Sequence, residues 1–175
     1  MKTNRHYLLA TTLICLGLIA LPRQTAASQT QTTPPPLFVT FKGDIPAEVQ
    51  FKAEDLDKLP QQTATVQEEE VPTKYSGVLL KDVLEKAGAP MGKTLRGKSL
   101  ASYVIAKARD GYAVVFTLGE LDEAFGNQRI LLAYKRDGKP LFGYQGPFRI
   151  LCPNDKAGAR SIRMLDSIEL VKLRK

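Results

Sequence analysis

Between Ile130 and Leu173 the chain alternates apolar runs of strand length with Gly- and Pro-framed turns, and this stretch constrains the fold more than any other. Ile130-Leu131-Leu132-Ala133-Tyr134 is too short to span a membrane and the right length for a buried strand. Asp137-Gly138 follows, a dipeptide suited to the positive φ angles of a tight hairpin. Then come Gly146-Pro147-Phe148-Arg149-Ile150-Leu151-Cys152-Pro153 and, past a polar loop, Gly158-Ala159-Arg160-Ser161-Ile162-Arg163. Arg149, Arg160 and Arg163 thus stand beside constrained backbone, a composition that suits gripping an anionic, planar ligand. Surface pairing with acids such as Asp155 and Asp166 is the plainer use of the same side chains.

The opening residues belong to a different kind of segment. Lys2, Arg5 and His6 precede an apolar run from Tyr7 to Leu21, and Thr25-Ala26-Ala27 supplies small residues for cleavage. Residues 1–27 read as a secretory signal peptide, so the protein is expected in the periplasm or another extracytoplasmic space, with membrane contact only through that segment. Residues 28–36, ending in Pro34-Pro35-Pro36, read as a Pro-rich linker, and 37–175 as one domain. Loss of residues 1–27 removes three basic residues and no acidic ones, leaving 22 against 18 and a net charge of +4 in place of +7. That balance, with no basic block, points away from nucleic acid.

The chemistry lost with the signal matters more. The one histidine, His6, and one of the two cysteines, Cys15, lie within it. The remaining chain has Cys152 alone, so an intramolecular disulfide, a His- or paired-Cys zinc site and any Ser-His or Cys-His nucleophile are excluded. No metal site is expected from these residues, and Cys152 reads as a buried, inert thiol.

Along the domain, Leu37–Phe41 and Glu48–Phe51 read as paired strands around Gly43-Asp44. Ala53–Leu59 reads as a short helix stopped by Pro60, Gln61–Gln67 as a half-buried strand, and Glu68-Glu69-Glu70 as a solvated loop. The spacing of Leu79, Leu80, Val83, Leu84 and Ala87 predicts a helix ending at Gly88, and residues 91–100 a solvated connection. Ser102–Ala108 and Tyr112–Phe116 flank Asp110-Gly111 as a hairpin. Thr117-Leu118-Gly119-Glu120 predicts a capped helix with Leu118, Leu121 and Phe125 inward. Ser161–Leu165 and Ile168–Leu173 read as closing strands. About nine strands and two or three helices give an α+β, sheet-dominated mixed α/β single domain.

These motifs, in this order, resemble the molybdopterin-binding domain of the sulfite-oxidase family. The resemblance rests on Tyr75-x-Gly77-Val78-x-Leu80-x-Asp82-Val83-Leu84-x-x-Ala87-Gly88, on Asp110-Gly111-Tyr112, and on Leu132-Ala133-Tyr134-x-x-Asp137-Gly138-x-Pro140-Leu141. It continues through Gly146-Pro147-x-Arg149, Pro153 and Gly158-Ala159-Arg160-Ser161-Ile162-Arg163. It implies a mixed α/β fold around a pyranopterin, with Arg149, Arg160, Ser161 and Arg163 as pterin or phosphate contacts and Tyr112 and Asp110 near the pocket. Arg163 stands where the family often has Lys, and Met164 where it often has Trp.

Two departures bear on function. Redox-active members supply a cysteine thiolate shortly before the segment that here is Tyr75-Ser76-Gly77, and no cysteine lies between Gln61 and Gly77. Loaded members also leave the cytoplasm folded, through a twin-arginine signal, and Met1–His6 has no Arg-Arg pair. Molybdopterin is therefore implied by resemblance and not by the residues themselves. The favoured reading is an exported, non-catalytic domain that binds an anionic, pterin-like small molecule, or a redox or envelope protein partner, through an arginine-lined pocket. The competing reading is a molybdenum-pterin oxidoreductase, its metal held by the dithiolene alone or by an oxygen of Thr63 or Thr65, passing electrons to a separate protein.

Overall fold

A computed structural model describes residues 38–173, all within one compact unit. Residues 1–27, expected to be a signal peptide, and residues 28–36, expected to be a linker, lie outside the described residues, as does Leu37. Two five-stranded sheets make the framework. The first runs β2 (Val49–Lys52), β1 (Phe38–Gly43), β10 (Leu165–Lys172), β5 (Ser102–Ala108), β6 (Ala113–Thr117). Only the β1–β10 pairing is parallel. The second runs β3 (Gln61–Glu68), β4 (Val71–Leu79), β7 (Leu131–Arg136). Beyond β7, the short strands β8 (Lys139–Pro140) and β9 (Arg149–Leu151) pair with its two ends. Among the described residues there are ten strands and three short α-helices, so the sheet-dominated mixed α/β architecture is as expected.

The main core joins the two sheets. Strand alternation turns Val39 and Phe41, Val104 and Ala106, and Ile168 and Leu170 inward from the first sheet. They share one cluster with Val78, Leu132 and Ile150 of the second and with Leu80, Val83 and Leu84 of helix α2 (Leu80–Lys86). Phe41 and Phe51 pack edge to face across the β1–β2 hairpin, centroids 5.4 Å apart. The opposite face of the second sheet carries a smaller cluster of Tyr75, Leu131, Ala133, Leu141 and Leu151, flanked by Ala64 and Val66. That second face positions the site.

Turn chemistry behaves as the sequence implies at Asp137-Gly138, where both residues have positive φ (49° and 79°). At Asp110-Gly111 only the glycine does (89°), and the Asp110 carboxylate accepts the Tyr112 N–H at 2.9 Å. A further hairpin was hidden. Glu69 and Glu70 take φ of 50° and 67° and turn β3 into β4, so the triplet expected as a solvated loop is a tight turn and Val71–Leu79, to which the sequence assigned no strand, is one. Pro72 obscured it, yet β7 reaches only as far as Tyr75, so the missing N–H interrupts no ladder. At Gly77 the two backbones meet so closely that a Cβ would collide with the Leu132 carbonyl.

Three other boundaries differ. Helix α1 (Ala53–Leu56) stops short of Leu59, and the Gln61 side-chain amide donates to the Leu56 and Leu59 carbonyls (2.8 and 2.9 Å). Helix α3 spans only Leu118–Leu121, with Thr117 Oγ1 accepting the Glu120 N–H. The buried Asp122 caps the Gly92 and Ala124 N–H groups and Gly126 closes against Glu120, which leaves Phe125 exposed instead of inward. Finally, one strand, β10, replaces the two closing strands. Ile162 exchanges two backbone hydrogen bonds with Ile150 (2.8 and 3.0 Å), but its neighbours form a short 3₁₀ turn and a loop that ends at Met164, φ 49°.

Candidate functional site

An open cleft of about 1070 Å³ lies over the outer face of the second sheet. The end of β3, the β5–β6 turn and the loop that follows β9 form its walls. Its floor is Arg149. The side chain starts on β9 opposite Ala133, the small residue that leaves room for it to lie across the sheet. The guanidinium then stacks on the Tyr75 ring, 4.5 Å from the centroid, and reaches the far strand β3. One terminal nitrogen, Nη1, is shared among Glu68 Oε1 (2.9 Å), Tyr75 Oη (2.6 Å) and Gln145 Oε1 (2.6 Å), while Tyr75 Oη donates to Glu68 Oε2 (2.9 Å).

This network is electrostatically tuned. Arg149 is only 4% exposed. Burial works to raise the Glu68 carboxyl, but hydrogen bonds from Tyr75 and Arg149 and the Arg149 charge outweigh it and hold that carboxyl below its ordinary range. Burial, with the Glu68 contact added, pushes the Tyr75 phenol up to about 12 against the opposing Arg149 charge. The Nε of Arg149 is buried without a hydrogen-bond partner.

The structure brings five of the six sequence-derived residues into the cleft lining: Arg149, Ser161, Arg163, Tyr112 and Asp110. Tyr112 Oη donates to the Ala159 carbonyl at 2.6 Å and ties the β5–β6 turn to the 3₁₀ turn at Gly158–Arg160. Ser161 Oγ accepts the Cys152 N–H at 3.1 Å, which leaves its hydroxyl proton free to donate. Arg163 lies against the Tyr144 ring at 5.3 Å with no ion-pair partner among the described residues. Arg160 stands apart. Its guanidinium forks onto Asp155 (2.7 and 2.9 Å), reaches Glu120 at 3.1 Å and stacks over Phe116, turned out of the cleft. Two carboxylates within reach hold it in the ion pair with Asp155 that the plainer sequence reading named.

Sequence reasoning missed Glu68, Tyr75, Gln145 and Lys156. Glu68 was hidden inside a solvated triplet, although the period of two from Ala64 and Val66 puts it on the same face. Cys152 follows β9 directly and joins the cleft wall. Burial, reinforced by the Asp155 charge, pushes its thiol up to about 12, so it is protonated at neutral pH.

The same fold recurs in known proteins. A family model described as the oxidoreductase molybdopterin binding domain matches residues 31–175. The chain belongs to that family. Among solved structures, this molybdopterin-binding domain is similar to the sulfane dehydrogenase SoxCD from Paracoccus pantotrophus, at 16% identity and a TM-score of 0.57. The match covers 76% of this chain and 37% of that one, so the likeness is one of fold, over little more than a third of the larger protein. Among curated proteins nothing matches.

The donors of the domain fit the organic part of a molybdopterin. Lys156 and Arg163 line the cleft without carboxylate partners among the described residues and suit a phosphate. Tyr112 and Ser161 are polar residues lining the space a heterocycle would fill. The metal end is different. The thiol in the wall is buried, and among the described residues no group of three or more His, Cys, Asp and Glu could hold a metal ion.

Proposed function

We propose that this molybdopterin-binding domain is an exported, non-catalytic module that binds an anionic, pterin-like ligand in its cleft. One observation carries the reading: the cleft gathers Arg163, Lys156, Tyr112 and Ser161 around a buried Arg149, while its single thiol is held protonated. Lys156 and Arg163 take the anionic end. Ser161 donates its free hydroxyl proton, and the Tyr112 ring walls the planar part. Arg149, locked by Glu68, Tyr75 and Gln145, fixes the floor in one conformation and limits the ordering cost of binding. A bound molybdenum–pterin cofactor would supply two-electron redox chemistry at its metal, and among the described residues the one thiol beside the cleft is the buried Cys152.

Export rests on the apolar run from Tyr7 to Leu21 and the small residues at Ala26-Ala27. Mass spectrometry of the extracytoplasmic fraction should find a chain beginning at Ser28. A cytoplasmic chain that keeps residues 1–27 would refute this part alone. The oxidoreductase reading keeps one foothold, since Thr65 is among the residues lining the cleft. Metal analysis and pterin fluorescence of protein recovered from its own cells separate the two. Pterin or phosphorylated-pterin binding without molybdenum supports the binding module, and stoichiometric molybdenum overturns it.

A further inference from the structure

The free edge of β3 is open for pairing. In β4, Lys74 turns both backbone groups away from β3: its N–H donates to Asp137 Oδ1 at 3.2 Å and its carbonyl accepts the Asp137 N–H at 2.8 Å. Lys74 stands opposite Thr65, so that pair is of the non-hydrogen-bonded kind. Thr65 must therefore turn its own N–H and C=O outward, and by the same alternation so do Thr63 and Gln67. Among the described residues none of these groups has another backbone partner.

The remaining edges are shorter or guarded. β2 has four residues and ends in the exposed Lys52, β6 has five, and β8 carries Pro140. The outer side of β9 is bonded to Ile162. β3 has eight residues, no Pro, no Lys and no bulge, and its one charge, Glu68, is drawn inward to Arg149. Sheet edges of that length are ordinarily blunted by such devices.

We propose that β3 pairs antiparallel with β3 of a second copy of this chain, about a two-fold axis at Ala64. The inference goes beyond the ligand reading and does not depend on it. Outward groups must meet outward groups, so Thr63 pairs with Thr65 of the second copy and Gln61 with Gln67, giving roughly eight backbone hydrogen bonds. Ala64 faces its own counterpart on the axis, where the backbones approach most closely and a small side chain is required. Gln62 falls opposite Val66. Thr–Thr pairs are among the favourable cross-strand neighbours, and no charge meets a like charge. This self-complementarity selects a second copy over an unrelated strand. Thr65, Val66, Gln67 and Glu68 line the cleft consecutively, residues of both faces, which puts the strand's edge at its mouth. Each copy's strand thus extends the wall of the other's cleft.

Sedimentation velocity on the protein as its own cells deliver it tests this. The expected result is a species of twice the monomer mass at micromolar concentration. Thr65→Val keeps the backbone and should keep the dimer. Thr65→Pro removes an outward N–H that β4 does not use, and should raise the dissociation constant about 100-fold, with circular dichroism unchanged. The register has its own test, which also decides the matter if the proline variant does not fold. Thr63→Lys with Thr65→Lys sets like charges opposite each other and should dissociate the dimer, whereas Thr63→Glu with Thr65→Lys should retain it. A monomer at high micromolar concentration, a dimer indifferent to the lysine pair, or a complex with another protein in place of self-association each overturns the proposal.

Discussion

Replacing Glu68 by Gln removes one charge and almost no volume from the cleft floor. Arg149 beneath it is 4% exposed, and its Nη1 keeps Tyr75 and Gln145 as acceptors after the change. Breaking a fully buried pair costs roughly 3–5 kcal/mol. The Glu68 side chain retains 18% exposure and the new amide oxygen still accepts, so the loss reduces to converting charge-assisted hydrogen bonds to neutral ones, about 2 kcal/mol. For a domain of this size that is a fall in Tm of roughly 7 °C at pH 7.

The pH dependence gives the sharper check. The folded-state Glu68 carboxyl is held below its unfolded value, so its contribution is complete above about pH 4.3 and is lost as pH falls through the folded value. Urea unfolding of wild type and Glu68→Gln at pH 7 and near pH 2.5 should therefore show a gap that closes in acid. A double-mutant cycle with Arg149→Met should return a coupling of about 1–2 kcal/mol at pH 7. A gap under about 0.5 kcal/mol at pH 7, or one that survives in acid, refutes the idea that the ionised Glu68 anchors Arg149.

The two kinds of arginine should separate cleanly. Arg163→Ala and Lys156→Ala should each weaken phosphorylated-pterin binding about 10-fold in a calorimetric titration and leave Tm within a degree or so. Arg160→Ala should leave that binding unchanged but cost about 1–2 kcal/mol in urea unfolding, through the loss of its fork onto Asp155. The Cys152 thiol, pushed up to about 12, should react with iodoacetamide at pH 8 about 1000-fold more slowly in the native protein than after unfolding, and comparable rates would contradict its placement. Gly77→Ala should destabilise by about 2 kcal/mol or more, because its methyl group meets the Leu132 backbone; a neutral change there would contradict the close approach of β4 and β7.

Much of the fold was legible because it depends on short-range chemistry. Asp137-Gly138 turns a hairpin by backbone preference alone, and the 3.6-residue spacing from Leu80 to Leu84 marks the inner face of α2. Arg149, Ser161, Arg163, Tyr112 and Asp110 could be nominated because their motifs stand in a recognisable order. The hairpin at Glu69-Glu70 could not be read this way, since two glutamates with positive φ run against local preference and only the pairing of β3 with β4 imposes it.

The direction of a long side chain is likewise beyond local reading. Arg149 and Arg160 look equivalent in the chain, each beside a Gly- or Pro-framed turn. Tertiary structure lays the first across Ala133 and Tyr75 to reach Glu68, and draws the second out of the cleft to Asp155 and Glu120. The sequence by itself determined the family, the sheet-rich architecture and the absence of any thiol except Cys152 from the domain. Which cations stay free to meet a ligand was decided only in three dimensions. A guanidinium goes to the carboxylates within its reach, and residues as far apart in the chain as Glu68 and Arg149 become neighbours only when the sheet has formed.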